Sequence, residues 1–350
     1  MDNIFTTIWN FFVWLFELLA GNSTVGIIFV GLAYFACIAA FVTLIVVFLI
    51  WMERRVAASF QERLGPNKYG TQGLMQPVYD AVKMVAKGII TPKNVDKLVY
   101  NFAPMLIFVA TLLVFAALPY GEGFLTVVNL NVGILYIIAV SSMTTIALLM
   151  AGWGSNNKYT LIGGMRAIAM VISYEIPFAF SFLGIIMITG SMNMTDIINA
   201  QQNVWFVFLQ PLAFVLFMIS MLAELNRSPF DLPEAESELV AGYITEYPAM
   251  KFGLFYLAEF ANVFSMSAIA VTVFFGGWQG PFLPSWLWFL IKTFLMIYVI
   301  MWIRWTMPRM RLDKIMKLNW QVLIPLSILN VFLTGVGIKL YQYFGGTGGV

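Results

Sequence analysis

Carboxylates set in an apolar chain are the residues here that could do chemistry, because an acid at membrane depth can hold, pass or exchange a proton. The stretch "AELNRSPFDLPEAESELVAGYITEYP", residues 223–248, carries six of them: Glu224, Asp231, Glu234, Glu236, Glu238 and Glu246. Arg227 is its single cation, so the block sums to −5 and the rest of the chain to +7. Two further acids lie inside apolar runs: Glu175 in "VISYEIPFAF", nine residues beyond Arg166, and Glu259 in "LFYLAEFANVF", eight residues beyond Lys251. At 1.5 Å per helical residue both lie about 12–14 Å from the ends of their helices, deep enough to share one layer. Pro177 removes an amide and disrupts the carbonyl of Ser173 beside Glu175, which predicts a kink there. An ionised side chain at such depth costs roughly 2.5–3.5 kcal/mol, so these acids must face a bundle interior or water. A lone buried acid is readily explained as a structural hydrogen-bonding group. Several at one level point to coupled proton handling.

The loop block reads differently. Asp231 is placed as an N-cap, Pro233 in the first turn and Glu234 three residues after the cap, which is ordinary helix chemistry. But Glu234 and Glu238 repeat on one face with Glu236 opposite, and no lysine of the block answers them. A merely solvated helix alternates signs. The block therefore either meets a basic surface or holds protons in a hydrated pocket.

The elements that must position these acids follow from composition. Of 350 residues, 61% are apolar and 10% charged, and continuous apolar runs long enough to cross about 30 Å of hydrocarbon recur along the chain. In lipid such runs must be helices. The expected fold is all-α, a polytopic membrane bundle treated as one integral-membrane domain over residues 1–350. Eight spans are expected near 25–51, 101–120, 133–153, 161–189, 204–223, 252–276, 286–306 and 320–341. Residues 4–20 read as an interfacial lead-in, with neither the basic leader nor the cleavage site of a signal peptide. Seventeen of the 19 lysines and arginines fall on one side of this arrangement. That bias puts segments 52–100, 224–250 and 304–319 in the cytoplasm and both termini outside. Lys292 is left within the seventh span, where snorkelling to the outer surface is the simplest expectation.

Within segment 52–100, "QGLMQPVYDAVKMVAKGII" is amphipathic. Leu74, Val78, Val82, Val85 and Ile89 make one stripe, and Gln76, Asp80, Lys83 and Lys87 the other, so a helix lies in or against the interface, with a local Asp80–Lys83 pair as one way to neutralise the acid. The chain has no histidine, and its one cysteine, Cys37, cannot hold an iron–sulfur cluster, which typically takes four thiolates. It is expected to bind no redox cofactor by itself, no metal and no nucleic acid.

The strings "ERRVAASFQERLGPNKYG", "GWGSNNKYTLIGGMRAIAMVISYE", "AELNRSPFDLPEAESELVAGYITEYPAMKF" and "IRWTMPRMRLD" closely resemble the H subunits of bacterial NADH:quinone oxidoreductase, respiratory complex I. The resemblance covers about residues 45–341. It implies a tilted helical bundle in the cytoplasmic (inner) membrane that walls a chamber for ubiquinone or menaquinone. FMN and iron–sulfur clusters would sit in partner subunits. The partners it implies are peripheral-arm subunits next to the quinone site and the terminal cluster, together with adjacent membrane-arm subunits and the bilayer. It assigns Glu53, Arg54, Arg63, Phe252, Tyr256 and Arg304 to the chamber and its mouth. It assigns Asp80, Glu175, Glu224, Glu234, Glu236, Glu238, Glu246 and Glu259 to the acidic path that couples quinone reduction to proton translocation, with Glu53 a further candidate. Asp231, in the same acidic block, is counted with them as a candidate site residue. Some members carry a glutamate where this chain reads Ser142, so a relay through that point would use water or serine.

Three rival readings have distinguishing features. An equivalent subunit of a membrane-bound hydrogenase or other-donor dehydrogenase is disfavoured by the intact "ERR…QERLGPN" and "SPFDLPEAESE" strings. A secondary transporter would predict internal repeats, and none is evident. A passive anchor leaves the intramembrane acids without a role.

Overall fold

The computed structural model describes residues 24–122, 129–233 and 236–344. Among them, seven helical stretches are long and apolar enough to cross a membrane, and the protein is an integral membrane, all-helical bundle. The long helices are α1 (Thr24–Phe60), α3 (Lys97–Ala117), α4 (Gly133–Gly154), α5 (Lys158–Thr189), α10 (Ala249–Phe274) and α11 (Ser285–Thr306). The seventh is a stretch from α12 (Leu312–Leu318) through a π-helical turn (Asn319–Leu323) into α13 (Ile324–Tyr343). The shorter elements are α2 (Gln76–Ala86), α6 (Met194–Ala200), α7 (Phe206–Leu209), α8 (Pro211–Glu224) and α9 (Glu236–Leu239). The lead-in at 4–20 lies outside the described residues.

Helix α10 is the axis of the bundle. Every residue from Val263 to Phe274 is buried, and the helix packs on α1, α2, α3 and α11. Its small residues, Ala258, Ala261, Ser265, Ser267, Ala268 and Ala270, let neighbouring backbones approach, which is how helices associate where lipid offers no hydrophobic drive.

The expected fifth span, 204–223, is not one helix. It breaks at Gln210 (φ −131°, ψ 56°), because a residue ahead of proline is pushed out of the α region and Pro211 has no amide to continue the ladder. The 14-residue α8 is shorter than the ~20 residues a crossing needs. The polar break is satisfied within the protein: Gln210 Nε2 donates to Thr334 Oγ1 (2.8 Å) and Asn330 Nδ2 donates to Gln210 Oε1 (3.2 Å).

Pro177 has the opposite outcome. Helix α5 continues through it, and the carbonyl of Ser173 that the proline strands accepts a 2.6 Å hydrogen bond from Nδ2 of the buried Asn319, in the π turn. Lys292 does not snorkel. Its Nζ donates to the carbonyls of Phe275 (2.8 Å), Gly277 (3.1 Å) and Gln279 (2.7 Å), and lies 5.0 Å from the Trp205 ring centre. It thus caps the C-terminal end of α10, whose unpaired carbonyls favour a cation.

The amphipathic segment forms α2 as expected, and its apolar stripe stays uncovered by the rest of the chain: Val78, Val82 and Val85 are 41, 60 and 68% exposed. Asp80 pairs with Arg54 of α1 (2.7 Å) rather than with Lys83, which ties the surface helix to the first span.

Candidate functional site

Arg227 sits at the junction of the elements just described. Helix α8 ends at Glu224, and Asn226 takes a left-handed conformation (φ 50°), a common way to reverse a chain at a helix C-terminus. The reversal sends Arg227 back into the bundle, where it is only 3% exposed. Its guanidinium reaches Glu53 of α1 (3.2 Å) and Glu259 of α10 (2.9 Å), and lies 4.8 Å from the ring centre of Phe260. The planar fork can serve two carboxylates at once, which a lysine ammonium does less well. Arg304, in the last turn of α11, also pairs with Glu53. A narrow space opens between Glu53, Arg227 and Arg304, walled by Val263, Ile300 and Met301.

The loop after Arg227 is fixed to the far end of α11. Ser228 Oγ donates to the Met307 carbonyl (3.0 Å), the Met310 amide donates to the Pro229 carbonyl (3.1 Å), and Arg309 pairs with Asp231 (3.0 Å). Asp231 and Glu53 are the carboxylates whose fields reach Glu259, beside Arg227. Tyr256, one turn before Glu259, feels Glu53, Glu259, Arg227 and Arg54 together. Its ring stacks on Phe252 (6.0 Å between centres, 16°), and α2 crosses beside them with Met84 against Gly253. Glu53, Arg54, Phe252, Tyr256, Arg304, Asp80, Asp231 and Glu259 therefore form one neighbourhood. Arg63 does not join it: it is exposed in the turn after α1 and donates to Gln61 Oε1 (2.6 Å).

Glu175 belongs elsewhere. Ser142 Oγ of α4 donates to Glu175 Oε1, and Glu175 is the charged neighbour of Glu224. The partners of Glu175 and Glu259 differ: Glu259 is held by Arg227, and Glu175 by a hydroxyl with a second carboxylate nearby.

The remaining acids spread over the surface loops. Glu238 pairs with Arg166 of α5 (2.5 Å). Glu246 accepts from Asn157 Nδ2 (2.7 Å), while its own carbonyl accepts from Tyr100 OH (2.6 Å). Tyr100 stacks on Tyr247 (4.3 Å, 7°), and burial pushes the Tyr247 hydroxyl above its ordinary range. Glu234 and the side chain of Glu236 lie outside the described residues. Of the acids that looked uncompensated within their own segment, Glu238 and Asp231 are met by Arg166 and Arg309 from distant segments, and Arg227 turns away from the block towards Glu53 and Glu259.

The chain matches the family model described as NADH dehydrogenase over residues 33–335. It is 50% identical over 309 residues to the H subunit of NADH-quinone oxidoreductase from Dehalococcoides mccartyi strain CBDB1, covering 88% of this chain and 87% of that one. The corresponding protein of Carboxydothermus hydrogenoformans is 46% identical over 309 residues (87% and 88%), and that of Geobacillus kaustophilus 45% over 329 residues (92% and 97%). The chain belongs to the family of NADH-quinone oxidoreductase H subunits. In this H subunit, the residue that sequence reasoning left out of the site is Arg227, although it lies at the centre. A single arginine among acids next to an apolar run was the available signal. Asn319 and Asn157 carried no signal of comparable strength.

Proposed function

We propose that this chain is the membrane subunit of a proton-pumping NADH:quinone oxidoreductase that admits quinone and couples its reduction to proton movement. The single observation that carries the reading is the meeting of Glu53, Arg227, Glu259 and Arg304 beside the stacked Phe252–Tyr256 wall. An apolar wall suits an isoprenoid tail, and charged groups deeper in suit the proton-consuming end of quinone chemistry. The uncovered stripe of α2 supplies further apolar surface at the entrance. Taking up two electrons and two protons, quinone changes the field in its neighbourhood. Glu53, Asp231 and Glu259 lie where that change would be felt through Arg227. Glu175 with Glu224 is the second stage, a pair of carboxylates that cannot both ionise cheaply and so would exchange protons as a unit. Partner subunits on the loop-rich face would bring the electron-carrying groups, and this face would be cytoplasmic.

The test is a substrate comparison on the assembled enzyme. Phe252→Trp should slow reduction of a long-tailed quinone several-fold while leaving a short, soluble analogue nearly untouched, because only the long tail must thread past the wall. Equal loss with both substrates would remove the chamber role from this surface.

A further inference from the structure

On the loop-rich face, away from the Arg227 neighbourhood, a cleft of about 450 Å³ opens between the start of α3, the α4–α5 turn and the loop before α10. Lys93, Asn156, Lys158, Tyr159 and Glu246 line it. Its walls are held by the backbone: Asn156 (φ 47°) donates through Nδ2 to the Asn94 carbonyl (2.8 Å), and the Asp96 amide donates to the Gly154 carbonyl (3.1 Å). The 32-residue α5 begins here, with Asn157 Oδ1 capping the Tyr159 amide (3.0 Å), and Lys93 and Lys158 stand beside its positive end. Those features suit an anion. Glu246 does not: a bare phosphate would meet a carboxylate, of which Asn157 occupies only Oε1. A ligand carrying both signs satisfies both halves. Beside the cleft, at the same end of the bundle, Trp153 (63% exposed), Tyr159 (54%) and Leu98 (76%) present the aromatic and apolar surface found where helices leave a bilayer.

We propose that this cleft binds the headgroup of an aminophospholipid of the phosphatidylethanolamine kind. Lys93 and Lys158 receive the phosphodiester, and Glu246 accepts hydrogen bonds from the primary ammonium. The acyl chains run down the surface beside Trp153 and Leu98. A trimethylated choline headgroup has the same charges but no N–H to give Glu246, so the site should discriminate between the two.

The experiment uses the assembled enzyme in nanodiscs of equal phosphatidylethanolamine and phosphatidylcholine, with retained lipid counted after detergent extraction. The native enzyme should keep the ethanolamine lipid about tenfold over the choline lipid, the size expected for losing one charge-assisted hydrogen bond. The Glu246→Gln variant should lose that enrichment, and the Lys93→Arg, Lys158→Arg variant should keep it, which separates headgroup recognition from misassembly. Equal retention of both lipids by the native enzyme, or full enrichment that survives Glu246→Gln, would overturn the site. So would displacement of the lipid by inorganic phosphate or free phosphoethanolamine as readily as by a short-chain phosphatidylethanolamine, since the occupant would then be a soluble phosphate.

Discussion

Two groups of acids, the one around Arg227 and the one around Glu175, solve the same physical problem in opposite ways. Glu53 and Glu259 are kept in the bundle by ion pairing to one buried arginine, with Arg304 adding a second cation to Glu53. Glu175 has a serine hydroxyl as its hydrogen-bond donor and Glu224 as its charged neighbour. An arginine-bound carboxylate is fixed in position by its ion pair. A carboxylate held by a hydroxyl beside another acid has no such cation to hold it. In the coupling proposed above, the first group would sense a change in charge nearby and the second would pass a proton on.

The largest effect should come from removing the hub. Arg227→Met leaves Glu53 and Glu259 facing each other in a buried site, and breaking a buried pair in this way costs about 3–5 kcal/mol. The assembled enzyme should be recovered in low yield with a depressed thermal midpoint. Adding Glu53→Gln and Glu259→Gln to the same variant should restore much of it, since the stranded charges are gone. No recovery in the triple variant would mean that the arginine serves packing on Phe260 instead.

The contrast sharpens with single amide substitutions. Glu175→Gln keeps the hydrogen-bonding shape and removes the exchangeable proton, so assembly should hold while protons pumped per quinone reduced fall. Glu259→Gln, by comparison, unbalances an ion pair and should show first as lost stability or slowed quinone reduction. Identical phenotypes would erase the distinction between the groups.

Ser142→Ala removes one hydroxyl from Glu175. A change of about 1 kcal/mol is expected, or roughly fivefold in a step that depends on that bond. Pumping at the native rate would show that water replaces the serine without loss. The smallest effect belongs to the surface. Arg166→Gln breaks a partly exposed pair with Glu238, worth at most about 1 kcal/mol, and its consequence should fade as salt is raised. A large, salt-independent loss there would point to a partner docked on that pair.

Much of this bundle could be read from hydropathy alone, because each long apolar run has a single way of hiding its backbone from lipid. The break at Gln210–Pro211 escaped that reading, since a proline inside an apolar run does not change the average on which a span is judged. The opposite fates of Pro211 and Pro177 depend on context: Pro177 keeps its helix, and Asn319, 146 residues from Ser173 along the chain, takes up the stranded carbonyl. The acids themselves were visible as residue types out of place. Their partners were not. Glu53 and Arg227 are 174 residues apart, and Arg166 and Glu238 are 72, so no spacing rule pairs them. Within the local sequence, Asp80 and Lys83 looked matched, and the fold instead gave Asp80 to Arg54.

The cap that Lys292 places on α10 acts on main-chain carbonyls alone. Residues at 275 and 279 offer the same oxygen whatever their side chains, so the lysine contact itself asks nothing of them and everything of position 292, while Gly277 is constrained separately by its φ of 51° and by Ile198. In a saturating mutational scan the burden should therefore fall on one side of the contact. Position 279 should accept varied residues as far as this joint is concerned, while 292 should reject even arginine, whose flat, wider head does not fit three converging oxygens. Such a one-sided constraint leaves no paired changes to find, and correlated variation would pass over one of the joints that holds the C-terminal end of the central helix in place.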